Sequence, residues 1–284
     1  MEVLHVWNTA GVPSVLSKYQ RRLLKWNSRV IVREDLDLFG YRNIYGEYLV
    51  VKRSKYRFLL SMFFIARNSD LIHIHSLDKI APVARMLYGR RKKIVIHYHG
   101  TIIRKKWRER ERFYKHADLI IVSTPDLLED VPEPYVGRVD YLPNPVDTEL
   151  FRPLSLPRKE KALLIIKYGR KHRWKDIRIV AEDLSKRYGI DYETIFVDNR
   201  PIPHHEMPRV LNRYKYFFDI HHGFHDYEKI IPTLSKTALE ALACGTIVIS
   251  PFIGVVKELP PMHKPENVIR KLVEILVKHD IVGL

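Results

Sequence analysis

YEKIIPTLSKTALEALACGTIVISP, residues 227–251, reads as a loop, a helix and a strand. Pro232 closes the loop. Ser235 or Thr237 can cap the helix start, and Thr237 with Glu240 three residues on has the capping-box pattern. Ala238, Leu239, Ala241, Leu242 and Ala243 suit a buried helix. Gly245 suits its C-terminal stop, and Thr246 to Ser250 follows as a short apolar strand. A helix start presents N–H groups without intrahelical partners and the positive end of the dipole, so it can hold a phosphate. Lys236 adds a cation beside it. Glu240 lies about one turn inside, where its carboxylate is placed to accept hydrogen bonds from a sugar diol. The same residues also fit a plain capping box with a solvated lysine, and the local pattern leaves both readings open.

Outward from this stretch, apolar runs alternate with helical segments. Val3 to Trp7 reads as a strand, followed by Asn8-Thr9-Ala10-Gly11 and a helix from about Val12 to Lys25. A strand–loop–helix of this kind opens an α/β unit whose ligands sit at the C-terminal strand edge. Gly11 lets backbone approach a ligand closely, or simply makes a tight turn. Arg29 to Arg33, Asp70 to Ser76, Lys93 to His97 and Ala117 to Ser123 are further strands. Ala162 to Tyr168, Thr194 to Val197 and Phe217 to His221 continue the series, with a helix expected over His205 to Tyr214. The alternation argues for two doubly wound α/β domains with a cleft between them. Prolines crowd the stretch from Leu142 to Pro153 and mark a linker, with the boundary near Leu154.

The histidines fall on strands. His73 and His75, and His97 and His99, alternate along two of them, and His99-Gly100 ends at a C-terminal edge where it can reach a cleft. His73 and His97 are expected to be structural, satisfied within or beneath the sheet. Their spacing is that of strand alternation rather than a ligand set, so no zinc is expected there. A metal site is conceivable from His221, His222 and His225, but no acid is clearly placed beside them.

Length and charge bound the rest. The chain has 284 residues, enough for two domains, and a formal net charge of +16. Both halves are basic, with 26 basic against 17 acidic residues before Arg152 and 23 against 16 from there on. Such a surface favours polyanions: nucleic acid, anionic lipid headgroups or phosphorylated substrates. Lys52, Arg53, Lys55 and Arg57 precede the apolar helix Phe58 to Ala66. That segment is a core helix with a basic start or a patch for anionic lipid, and the brevity of the run argues for the core helix. RKKWRERERFYK, residues 104–115, interleaves Trp107, Phe113 and Tyr114 with its cations. It suits a solvated helix or a face for a phosphorylated lipid acceptor. No helix-turn-helix, zinc-finger or RNA-motif pattern is present, so no nucleic acid is expected as a partner. The single Cys244 excludes an intramolecular disulfide and fits a reducing compartment, and no apolar run is long enough to span a membrane. Few cysteines and many Lys, Arg and Ile hint at a thermophile.

Taken together, the motifs resemble those of the large retaining glycosyltransferase family with the GT-B fold, glycosyltransferase family four. Glu240-Ala241-Leu242-Ala243-Cys244-Gly245 matches the second half of its donor-binding signature, while the first glutamate position of that signature falls on Pro232. Gly169-Arg170 followed by Lys175 is similar to the family's Gly-Arg and Lys. Pro143-Asn144-Pro145-Val146-Asp147 is similar to its inter-domain junction, with Pro145 in place of Gly. Asp70 to His75 and His99-Gly100 match its histidine strand and its His-Gly. Ala10 stands where the family usually has the first of a Gly pair, and Asp176 where it has Gly.

The resemblance implies a fold and a set of roles. The fold is α/β, GT-B: two Rossmann-like doubly wound domains facing a cleft, the second reduced because the chain between Val180 and Ile202 is shorter than usual. Residues 1–153 form the acceptor-side domain and 154–264 the nucleotide-sugar domain. Residues 265–284 form a C-terminal helix packing back on the first. Arg170 and Lys175 would hold the donor diphosphate, with Ser235, Lys236 and Thr237 at the helix start. Glu240 would hold the ribose, Ile202 would lie by the base, Gly11 would line the donor site, and His99 would contact the donor sugar. His99 and Glu240 are the catalytic candidates. No cofactor or metal is implied; the substrate is a nucleotide-diphosphate sugar, UDP or GDP type. Partners would be a glycan, glycolipid or lipid-linked acceptor and an anionic membrane touched peripherally. The expected location is cytoplasmic, at the inner face of the cell membrane. Two other readings stay open: an impaired nucleotide-sugar or glycan-binding protein, suggested by Pro232, and a nucleic-acid binder, suggested by charge alone.

Overall fold

The computed structural model describes residues 1–46, 48–100, 102–167, 174–197, 201–220 and 233–283. Contacts divide the chain into two units, one of Met1–Asp37, Tyr41–Pro145 and Pro265–Leu284, the other of Leu38–Gly40 and Val146–Lys264. The division therefore falls at Pro145 rather than near Leu154. The reason is packing: Val146 and Phe151 are buried in the core of the second unit.

The first unit runs β1 (Glu2–Val6), α1 (Val12–Leu24), β2 (Asn27–Arg33), α2 (Arg42–Tyr45), β3 (Tyr48–Val51), α3 (Lys55–Ala66), β4 (Leu71–His75), α4 (Ala81–Tyr88), β5 (Lys93–Tyr98), α5 (Trp107–Tyr114), β6 (Leu119–Val122) and β7 (Val139–Tyr141). Its seven strands form one sheet in the order β3-β2-β1-β4-β5-β6-β7, with every pairing parallel. A parallel sheet is covered on both faces, so its strands are near-continuous apolar runs. Leu4, Val6, Ile72, Ile74, Ile94, Ile96, Tyr98, Ile120 and Val122 point one way, into a core shared with Phe58, Met62, Ala66, Trp107 and Tyr114. The direction of winding reverses between β1 and β4, which makes the C-terminal ends of those strands the ligand-binding edge of this topology.

In the second unit the elements are β8 (Lys159–Lys167), α6 (Trp174–Tyr188), β9 (Tyr192–Val197), α7 (Met207–Leu211), β10 (Tyr214–Phe218), α8 (Lys236–Ala243), β11 (Ile247–Ser250) and β12 (Gly254–Val256). The sheet order is β12-β11-β10-β8-β9, parallel except for the β11–β12 pair. Alternate residues of β8 enter opposite cores. Leu163 packs with α8, whereas Ala162, Leu164 and Ile166 pack with Ile177, Val180 and Leu184 of α6. The helix expected over His205 to Tyr214 is only α7. It begins after the extended Pro201–Pro203 and stops where the Asn212 amide donates to the Pro208 carbonyl at 2.9 Å, leaving Tyr214 free to start β10.

The last helix, α9 (Pro265–Lys278), buries Val268, Ile269, Leu272, Ile275 and Leu276 and lies against α1. That spacing is the stripe of an amphipathic helix.

α3 is more than a core helix. Ser54 caps it, its hydroxyl accepting from the Arg57 amide at 3.3 Å, and Phe58, Met62 and Ala66 form its buried face. Tyr56, Leu60 and Phe64, also one turn apart, are 79%, 72% and 72% exposed. Lys52, Arg53, Lys55 and Arg57 around its start are exposed as well.

The basic run 104–115 resolves differently. Trp107 and Tyr114 are buried in the core. Arg110 pairs with the fully buried Asp78, and Arg104 pairs with Asp126, Nη2 to Oδ2, at 2.6 Å. Two of its cations thus brace the loops that leave β4, β5 and β6.

Candidate functional site

In the second unit the winding reverses between β8 and β10, so the crevice of this topology lies beyond their C-terminal ends. α6 follows β8 and α8 follows β10, so both helices start at that edge. Ser235 is the N-cap of α8, its Oγ accepting from the Ala238 amide at 3.1 Å. The capping box expected from Thr237 and Glu240 does not form. Thr237 already lies inside the helix, because the buried Asp219 carboxylate accepts from the Ser235 N–H at 2.9 Å and fixes where the helix begins. Spacing alone fits either cap; this long-range bond selects Ser235.

Glu240 is 5% exposed, in the second turn of α8. Lys236 does not extend alone from the helix start. Its Nζ lies 3.2 Å from Glu240 Oε1, and both side chains are largely buried. His204, buried just before α7, feels both: burial lowers its pKa below the usual value, the Glu240 carboxylate raises it and Lys236 lowers it. Its ring meets Phe151 edge-on at 5.0 Å. The helix start thus gathers the Glu240 and Asp219 carboxylates, the Lys236 ammonium and the His204 imidazole. Sequence reasoning missed Asp219 and His204, which belong to no motif; only the fold brings them to α8. The far end of α8 is fixed too. Arg158 donates to the Gly245 and Cys244 carbonyls at 2.6 and 2.7 Å, satisfying the end that helix geometry leaves open. Gly245, at φ 73°, supplies the left-handed stop.

Lys175 is exposed in the first turn of α6. Ile202 is partly buried in the extended segment before α7. Arg170, Pro232, His221, His222 and His225 lie outside the described residues.

In the first unit, three central strands end in left-handed residues: Trp7 after β1 at φ 75°, Ser76 after β4 at φ 60° and Gly100 after β5 at φ 108°. Non-glycine residues in this region are strained, and such strain collects at functional edges. Gly11 caps α1 at φ 72°, and a Cβ there would meet the Tyr41 ring at 2.6 Å. Both backbone and space require glycine.

Beneath that edge lies a row of imidazoles. The parallel registers place His5 beside His73 and His75 beside His97, all on one sheet face, with His99 next along β5's line. His5 Nε2 lies 2.7 Å from Gln20 Oε1, His5 Nδ1 2.9 Å from His75 Nε2, and His75 Nδ1 3.0 Å from His99 Nε2. Burial lowers every pKa in the row, to about 4 at His5 and about 3 at His99, where hydrogen bonding with Asn144 opposes it. His73, His75 and His97 are lowered by burial and then by their fellow imidazoles. The row is neutral at pH 7.

His73 and His97 are not satisfied as expected. Neither ring has a hydrogen-bond partner on either nitrogen among the described residues. They stack on each other at 12°, centroids 5.5 Å apart, so each ring faces another ring. A buried, unpaired polar group costs roughly 1–3 kcal/mol.

Residues 15–150 match the family model for Glycosyltransferase Family 4. No curated protein matches the chain in sequence. Among solved structures, HepE of Anabaena in complex with UDP-glucose is 14% identical, at TM-score 0.56 over 99% of this chain and 92% of that one. Sucrose-phosphate synthase of Thermosynechococcus elongatus is 15% identical, at 0.57 over 99% and 91%. An alpha-glucosyltransferase in complex with UDP and a 13-mer DNA is 12% identical, at 0.57 over 88% and 79%. These likenesses are to proteins of the GT-B fold and fix the fold of this chain.

Proposed function

Because the chain is a glycosyltransferase of GT-B type, with a Glycosyltransferase Family 4 domain over residues 15–150, we propose that it moves a sugar from a nucleotide-diphosphate sugar to an acceptor at a membrane surface, with retention of configuration. The observation that carries the donor reading is the start of α8, where Ser235, Lys236, His204 and Glu240 meet at the switch point of the second sheet. A diphosphate there would lie at the positive end of a helix. Arg170 and Lys175 would neutralise the leaving group without a metal. Glu240 would hold the ribose diol, and Ile202 would lie against the base. Thr237, in the first turn of α8, offers a further donor to the phosphates. In the first unit, His99 is assigned to the donor sugar, with Gly11 at the same sheet edge.

UDP is the first donor to try, since HepE and the alpha-glucosyltransferase were solved with UDP or UDP-glucose. The test is calorimetric titration with UDP, GDP and ADP, then their sugar conjugates. One diphosphate should bind, and Arg170→Ala and Lys175→Ala should each weaken it at least tenfold, about 1.4 kcal/mol. The affinity for the bare diphosphate should be unchanged in excess chelator. Absence of binding by all three would sink the donor site, and binding without turnover on any acceptor would favour the impaired-protein reading. The anomeric configuration of the product decides retention.

The acceptor reading rests on α3. Its exposed Tyr56, Leu60 and Phe64 lie amid Lys52, Arg53, Lys55 and Arg57, the combination that inserts apolar side chains beneath anionic headgroups. No helix among the described residues is long and apolar enough to cross a membrane. We therefore expect sedimentation with phosphatidylglycerol vesicles and none with phosphatidylcholine. Leu60→Asp with Phe64→Asp should reduce it at least ~tenfold, because each buried side chain contributes roughly 1.5–3 kcal/mol. Equal sedimentation of the variant would show that α3 is not the face that meets the vesicle. Salt-sensitive binding to DNA in place of vesicles would turn the charge towards nucleic acid.

A further inference from the structure

We propose that the first unit holds one divalent transition-metal ion, of the zinc, cobalt or nickel class, on the imidazoles of His75, His97 and His99. One ring nitrogen from each lies within 4.8 Å of the others. The sheet register makes the site, since His75 pairs across β4 and β5 with His97, and His99 stands two residues further along the same face. The ring centroids of His97 and His99 are 4.2 Å apart, and His75 is 5.3 Å from each.

The hydrogen bonds orient this set as a ligand shell. Gln20 Oε1 accepts from His5 Nε2–H, which leaves the His5 Nδ1 lone pair to accept from His75 Nε2–H. His75 Nδ1 is then a lone pair aimed at His99 Nε2, 3.0 Å away. Two nitrogens bound tetrahedrally at about 2.0–2.1 Å lie only a few tenths of an ångström further apart. A histidine ligand whose other N–H is held by a neighbour is the usual outer-shell arrangement of such ions. His97 is buried with both nitrogens unpartnered among the described residues, and an ion would give one of them its partner. An all-imidazole set suits zinc, cobalt and nickel and disfavours calcium and magnesium, which want oxygen. His5, His73 and His75 also lie within 4.8 Å of one another. There, however, all three residues are fully buried. His99 is the one residue of the two trios that is not fully buried, so an ion would enter from its side.

The test does not depend on the donor reading, because the probe is the metal alone; His99, a ligand here, is also the residue assigned above to the donor sugar. The full chain, stripped with chelator, is titrated with Co²⁺ and then Zn²⁺ without nucleotide. One Co²⁺ per chain should bind with the intense visible bands of a tetrahedral site, and Zn²⁺ should displace it. His97→Phe should lose at least tenfold in affinity, whereas His73→Phe and His222→Ala should keep it. If His97→Phe fails to fold, X-ray absorption at the zinc edge of the wild type decides, with three histidine nitrogens expected. Absence of saturable binding, an octahedral cobalt spectrum, or loss in His73→Phe or His222→Ala with retention in His97→Phe would overturn the proposal.

Discussion

Glu240→Ala should weaken binding of the nucleotide donor by at least about thirtyfold, roughly 2 kcal/mol. The figure follows from losing hydrogen bonds to a charged acceptor, worth about 1.5–3 kcal/mol each. Two accounts of Glu240 compete. In one it only neutralises Lys236, 3.2 Å away; in the other it also receives the ribose hydroxyls. A double variant separates them. Lys236→Met removes the ammonium, so Glu240→Ala on that background leaves no unpaired charge. If Glu240 serves Lys236 alone, the double variant binds the donor as well as Lys236→Met does. If it holds the ribose, the double variant binds more weakly than Lys236→Met by about the same thirtyfold. The ligand supplies a second cycle: 2′,3′-dideoxy-UDP should bind wild type as weakly as UDP binds Glu240→Ala, with no further loss when both changes combine. Additive losses would sink the ribose assignment, and thermal unfolding of each variant shows whether the fold was disturbed.

How far the site is legible in the sequence depends on how far apart its partners lie. The strands are legible because a parallel sheet needs apolar runs, and runs such as IIV at residues 120–122 fit little else. α8 is legible from Ser235 to Gly245 because cap, apolar face and stop lie within one local pattern. Its first residue is not, since Ser235 and Thr237 both satisfy the local rule and Asp219 decides between them from another strand. The histidine row shows the same limit from the other side. Alternation puts His73 and His75 on one face of one strand, but only the register of β1, β4 and β5 brings His5, His97 and His99 alongside. The basic run 104–115 misleads because its acidic partners, Asp78 and Asp126, lie 32 and 22 residues away along the chain.

Those partners lead to the largest stability effect in the first unit. Asp78 is 0% exposed and accepts from Arg110 Nε at 2.9 Å, from Arg110 Nη2, and from the Tyr98 hydroxyl at 2.6 Å. Burial and the Asp78 carboxylate push the Tyr98 phenol well above its usual pKa, so it stays a donor at any working pH. Asp78→Ala strands a mostly buried guanidinium and a buried hydroxyl. Breaking a buried pair from one side costs about 3–5 kcal/mol. We expect a loss of that size in unfolding free energy, read as a lower urea midpoint of the first unfolding transition with its slope unchanged. Asp78→Leu with Arg110→Met should recover much of it, because removing both charges removes the penalty along with the pair. A loss below about 1 kcal/mol for Asp78→Ala would show that water reaches Arg110 in the variant. The consequence for function follows from position. Asp78 lies just beyond Ser76 at the end of β4, and Arg110 in the helix after β5, so their bond ties together the two loops that flank His99. Under the proposed contact of His99 with the donor sugar, loosening them should raise the apparent donor KM. A variant that unfolds more readily yet keeps its KM would confine the network to stability alone.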